Sequence, residues 1–113
     1  MTDGQKFLEQ HKAQLLELCR RYPVERLYLF GSVMTDEFDP GTSDVDAQVF
    51  FVDMVDRIER GRLKWLFWND LESILGRRVD LLTEKPLKNA IFRNQVETSR
   101  QLIYDRKSEK ILA

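Results

Sequence analysis

Large residues in the first twenty-two positions recur at helical spacing, with Phe7, His11, Leu15, Leu18 and Tyr22 on one stripe. Thr2 followed three residues later by Gln5 is a capping-box pattern. Tyr22-Pro23 stops the run, because proline disfavours helical geometry in the residue before it. The pattern predicts a helix from Thr2 to about Tyr22. Val24 to Phe30 (VERLYLF), rich in branched and aromatic residues, predicts a strand that Gly31-Ser32 closes. Asp36, Asp39, Pro40, Gly41, Thr42 and Ser43 have loop chemistry, with room for one helical turn. Asp44 to Val52 (DVDAQVFFV) predicts a second strand. Asp56-x-x-Glu59 opens a second helix from Asp56 to Leu75, and Gly76 is placed to end it. Arg78 to Thr83 predicts a third strand. Pro86 opens a last helix to about Gln101, and Leu102-Ile103-Tyr104 suits a short edge strand.

This order, α-β-turn-β-α-β-α, predicts an α+β (α/β) fold. The expected sheet is small and mixed, with three to four strands and helices packed mainly on one face, in a single domain over residues 1–113. A chain of 113 residues, 42% hydrophobic and 33% charged, can bury a core without covalent staples. The lone Cys19 excludes an internal disulfide and a multi-cysteine zinc site, and suits a reducing cytoplasm. It reads as a small buried residue on the first helix. No apolar run is long enough to span a membrane, and the opening residues do not have the pattern of a signal peptide.

Charge changes the picture more than composition does. The total, 18 basic against 19 acidic residues for a net −1, argues against a broad nucleic-acid-binding face. It is unevenly spread, however. Leu27 to Asp56 carries seven acids (Asp36, Glu37, Asp39, Asp44, Asp46, Asp53 and Asp56) and no base, leaving 18 bases against 12 acids elsewhere. Asp44 and Asp46, two apart on a strand, point to the same face. Asp80 lies inside the third strand, so three acids can converge if that strand neighbours the second. Clustered carboxylates need a cation or a proton between them. Oxygen ligands without histidine or cysteine point to Mg²⁺ or Mn²⁺ rather than zinc. Gly31-Ser32, between a strand and a helical turn, permits close approach of a phosphate, to which the serine hydroxyl can bond.

Leu27-Tyr28-Leu29-Phe30-Gly31-Ser32, then Ser43-Asp44-Val45-Asp46, then Gly76-Arg77-Arg78-Val79-Asp80-Leu81-Leu82-Thr83 together resemble the minimal nucleotidyltransferases of the DNA polymerase β superfamily. The resemblance spans roughly Val24 to Tyr104. It implies that Gly31 and Ser32 hold the triphosphate of an NTP, ATP first among them. It also implies that Asp44 and Asp46 bind two Mg²⁺, and that Asp80 binds the metal nearest the acceptor and helps deprotonate its hydroxyl. By kinship, the acceptor is expected on a separate chain, such as a HEPN-type helical toxin for which this protein is the antitoxin. In one respect the sequence departs from the family. Many members follow Gly-Ser with a basic residue and a further glycine, whereas Val33-Met34-Thr35-Asp36 stands here.

Leu63 to Trp68 (LKWLFW) is more apolar than one helix face requires, which leaves Trp65 and Trp68 for a wide buried stripe, a homodimer or partner surface, or nucleobase stacking. His11 reads as a packed helix histidine. Lys85, Lys88 and Arg93 read as a solvated face, and Arg78 shares a strand face with Asp80.

Overall fold

The computed structural model describes residues 2–35, 38, 39, 41, 43–83, 89–107, 110 and 111. The expectations for Asp36, Glu37, Pro40, Thr42, Lys85, Pro86 and Lys88 therefore lie outside the described residues.

The chain begins with α1 (Asp3–Arg21), whose N-terminus carries the expected reciprocal cap between Thr2 and Gln5. Tyr22 ends it in extended geometry and β1 (Val24–Phe30) follows. A one-turn 3₁₀ helix (Gly31–Met34) leads toward β2 (Val45–Phe51). Next comes α2 (Arg57–Leu75), capped by the Asp56 carboxylate at the Glu59 amide, 2.8 Å, and closed by Gly76 at φ +67°. The reciprocal half of this box is not formed as the pattern suggests, because the Glu59 carboxylate turns to Arg62 instead. β3 (Val79–Leu82), α3 (Ala90–Ser99), β4 (Gln101–Asp105) and a two-residue β5 (Lys110–Ile111) complete the order. α3 starts from an Asn89 side-chain cap, three residues beyond the proline expected to open it.

The strands form one mixed sheet in the order β3-β2-β1-β4-β5. β1 runs antiparallel to β2 and β4, while β2 and β3 are parallel. β4 is not at the edge as its sequence suggested, because β5 pairs with its outer side. The expected architecture is otherwise what the chain builds, with β5 as a short addition. Alternation sorts each strand into two faces. Leu27 and Leu29, Val45, Ala47, Val49 and Phe51, and Val79 and Leu81 are buried against Phe7, Leu15 and Leu18 of α1 and Leu63, Phe67 and Leu71 of α2. The opposite parity puts Phe30, Asp46, Gln48 and Asp80 on the other face, which α1 and α2 leave open.

Candidate functional site

Two strands bring the site together. In the parallel ladder, Val45 lies beside Val79 and Asp46 beside Asp80; on the other flank of β2, Asp46 lies beside Phe30. The same alternation that sends Val45 and Ala47 into the core turns Asp46 outward. Asp80 sits within hydrogen-bonding reach of the Asp46 carboxyl, an arrangement that favours the protonated form of Asp46. Partial burial, then the charge and hydrogen bond of Asp80, and finally the charge of Asp44 push Asp46 up from 3.8 to about 6.

Asp44 is exposed just ahead of β2 and acts on Asp46 through its charge. Its backbone is steadied by neighbours: the Arg77 guanidinium donates to the Ser43 carbonyl at 3.0 Å and lies 4.3 Å from the Phe7 ring centre. Among the described residues, no three His, Cys, Asp or Glu side chains form a ready metal cage. The structure thus joins Asp46 to Asp80 and leaves Asp44 at the rim.

Gly31 is the tightest point of the site. Its φ is +76°, and a Cβ there would sit 2.2 Å from Asp46 Oδ2. The glycine therefore admits the Asp46 carboxyl itself, a reason the sequence did not reveal. Ser32 follows, half-buried, and its carbonyl accepts from both the amide and the hydroxyl of Thr35, at 2.9 and 3.0 Å. Val33 is fully buried, and a Cβ on Gly4 of α1 would lie 2.0 Å from its carbonyl oxygen. The 3₁₀ turn is thus pinned from beneath and presents no basic side chain among its described residues.

A cleft of about 440 Å³ opens over Asp46 and Asp80, walled by Phe30, Leu82 and Phe92 of α3 and reaching Trp68 of α2. These walls were not recognised in the sequence. Strand parity could have found Phe30 and Leu82, which share the face of the acids, but not Phe92, which arrives through tertiary packing. Trp68 is not spare: its indole donates to the Val79 carbonyl at 2.6 Å. Trp65 is 63% exposed. His11 is packed as expected, its Nδ1 2.8 Å from the Phe7 carbonyl.

A nucleotidyltransferase domain model matches residues 11–105, and the chain belongs to that family of enzymes. A "putative protein adenylyltransferase" of Methanocaldococcus jannaschii is 28% identical over 104 residues, covering 92% of this chain and 96% of that one. A "putative minimal nucleotidyltransferase" of solved structure is 31% identical with a TM-score of 0.60, over 89% of this chain and 95% of that one. The fold is also that of a chain in the complex of tri-AMPylated Shewanella oneidensis HEPN toxin with MNT antitoxin. There the TM-score is 0.57 at 23% identity, over 89% of this chain and 75% of that one. No helix among the described residues is long and apolar enough to cross a membrane.

Proposed function

We propose that the protein moves AMP from ATP to a hydroxyl on a partner macromolecule, with Asp44, Asp46 and Asp80 as ligands for Mg²⁺ or Mn²⁺ and Gly31-Ser32 as the triphosphate seat. The observation that carries this reading is the in-register pairing of Asp46 with Asp80 beside Gly31. The donor set fits a hard divalent ion: every ligand is a carboxylate oxygen, and each charge acting on Asp46 is negative. When bound, such an ion acidifies the acceptor hydroxyl and neutralises the departing pyrophosphate.

The chain's own groups do the rest. Ser32 orients the phosphates, and the cleft walls hold the acceptor over Asp80. Asp80 takes the proton as the hydroxyl oxygen bonds to the α-phosphorus. The bond from that phosphorus to the bridging oxygen breaks, and pyrophosphate leaves. Likeness to the HEPN–MNT complex supports a HEPN-type toxin as acceptor, with this protein as its antitoxin; the lone Cys19 suits a cytoplasmic setting.

Incubation with α-labelled ATP, Mg²⁺ and the HEPN-type partner tests the reading. Label is expected on the partner, and Asp46→Asn should lower its transfer by about a hundredfold or more. Absence of labelling by the wild-type protein would overturn it. A second reading, neutralisation by stoichiometric binding, is favoured by Thr35, where many relatives carry a basic residue. Its hydroxyl turns back on Ser32 rather than toward a phosphate. On that reading the wild type and Asp46→Asn neutralise the partner equally.

A further inference from the structure

Five large apolar side chains are prominently exposed among the described residues, and three of them lie just before α2 or in its first half: Met54 (94%), Ile58 (87%) and Trp65 (63%). Ile58 and Trp65 are seven residues apart on one helical stripe. The adjoining stripe carries Arg57, Gly61 and Lys64, which with Phe51, Val55, Arg60 and Thr83 line a groove of about 490 Å³; none of its described lining residues is a carboxylate. Neither Arg57 nor Lys64 has a carboxylate partner among the described residues; the Lys64 ammonium lies 5.6 Å from the Trp68 ring centre. The groove lies by the C-terminal ends of β2 and β3, whereas Asp46 and Asp80 are near their N-terminal ends.

Gly61 supplies a second, independent observation. Glycine inside a helix is costly relative to alanine, and beyond its chain neighbours and its own helix backbone no atom of the described residues lies within 4 Å of where its Cβ would be. Its own fold does not require a glycine there. A bare backbone flanked by cations and apolar side chains suits a segment that must approach closely.

We infer that this groove docks an acidic, apolar segment of a partner protein, its carboxylates meeting Arg57 and Lys64 while its apolar side chains cover Met54, Ile58 and Trp65. A second copy of this chain fits poorly, because a two-fold contact would bring like charges together. Nucleic acid fits poorly as well, since its interfaces are polar and strongly basic rather than rich in exposed apolar groups.

Titration of the ¹⁵N-labelled full chain with an amphipathic Glu/Leu peptide tests the assignment. A Lys/Leu counterpart, phosphatidylglycerol vesicles and a short single-stranded RNA serve as competing probes. The Gly61 amide and Trp65 indole signals should shift with the Glu/Leu peptide alone. The affinity should fall about tenfold or more in Arg57→Glu/Lys64→Glu. Gly61→Trp, which fills open space, should keep the fold and block the peptide. No shift with the acidic peptide, a preference for any other probe, or dimerisation through this patch would overturn the proposal. The readout does not use nucleotide, so peptide binding without label transfer would leave the groove standing and remove only the transferase reading.

Discussion

Asp46 pays for its position in the metal-free protein. Burial and the neighbouring acids raise it to about 6, above its value in the unfolded chain, so the folded state binds the proton more tightly. That contribution to stability is complete below about pH 4 and is lost as pH rises through about 6. Asp46→Asn should therefore raise the stability of the metal-free protein at pH 7.5 by about 1 kcal/mol, a figure discounted for solvent screening of a partly exposed carboxyl. Urea titrations at pH 3 and 7.5 check this: the gain should be present at the higher pH and largely absent at the lower. At the same scale, the acids stood out in the sequence because carboxylates are unusual inside a strand, and Gly31-Ser32, ordinary as a turn, stood out only together with them. The overlap between a Gly31 Cβ and Asp46 was not legible, because it depends on a neighbouring strand.

At the scale of elements, β3 is a short edge strand whose first outward-facing peptide groups, those of Val79, are covered by α2. The Val79 amide donates to Glu72 Oε2 at 2.8 Å, and its carbonyl accepts from Trp68 Nε1. This satisfies an edge that would otherwise offer a free ladder, and it fixes the height of Asp80 against Asp46. Trp68→Phe keeps the ring but removes the donor, and should cost about 1 kcal/mol in denaturant midpoint measurements. Helix boundaries were legible from their caps, at Thr2, Asp56 and Gly76. The apolar excess of Leu63 to Trp68 was not, because periodicity cannot distinguish an indole covering a strand edge from one left exposed. Nor could the sequence of α1 announce that Gly4 is the point where its first turn touches the Val33 carbonyl.

For the whole molecule, the residue just after β4 is tied back to the joint between α1 and β1. The Arg106 guanidinium donates to the carbonyls of Cys19, Tyr22 and Val24, at 3.2, 2.8 and 2.7 Å. Cys19 is completely buried there, and burial, opposed by the Arg106 charge, pushes its thiol up to about 12. An uncharged, enclosed thiol reacts only when the core opens. Its labelling by a disulfide reagent should be slowed at least about a thousandfold against a free peptide thiol, and restored in denaturant. Slow labelling kinetics check this, and prompt reaction of the native protein would show that the α1–β1 joint opens locally.

The sequence by itself determined the element order through β4, the caps of α1 and α2, the alternation of each strand and the acidic character of the 27–56 segment. These follow from local geometry, since alternation and helical period need only neighbours along the chain. It also placed Asp46 and Asp80 on strands with the parity that turns them to one face, whereas Asp44, expected on the strand, lies just ahead of it. Only the tertiary structure decided that β3 lies parallel to β2 in the register that sets Asp80 against Asp46. It likewise brought Phe92 over them and left the Gly61 groove uncovered. Strand adjacency and helix docking join positions far apart in the chain, through packing of the whole core, and no local pattern specifies them.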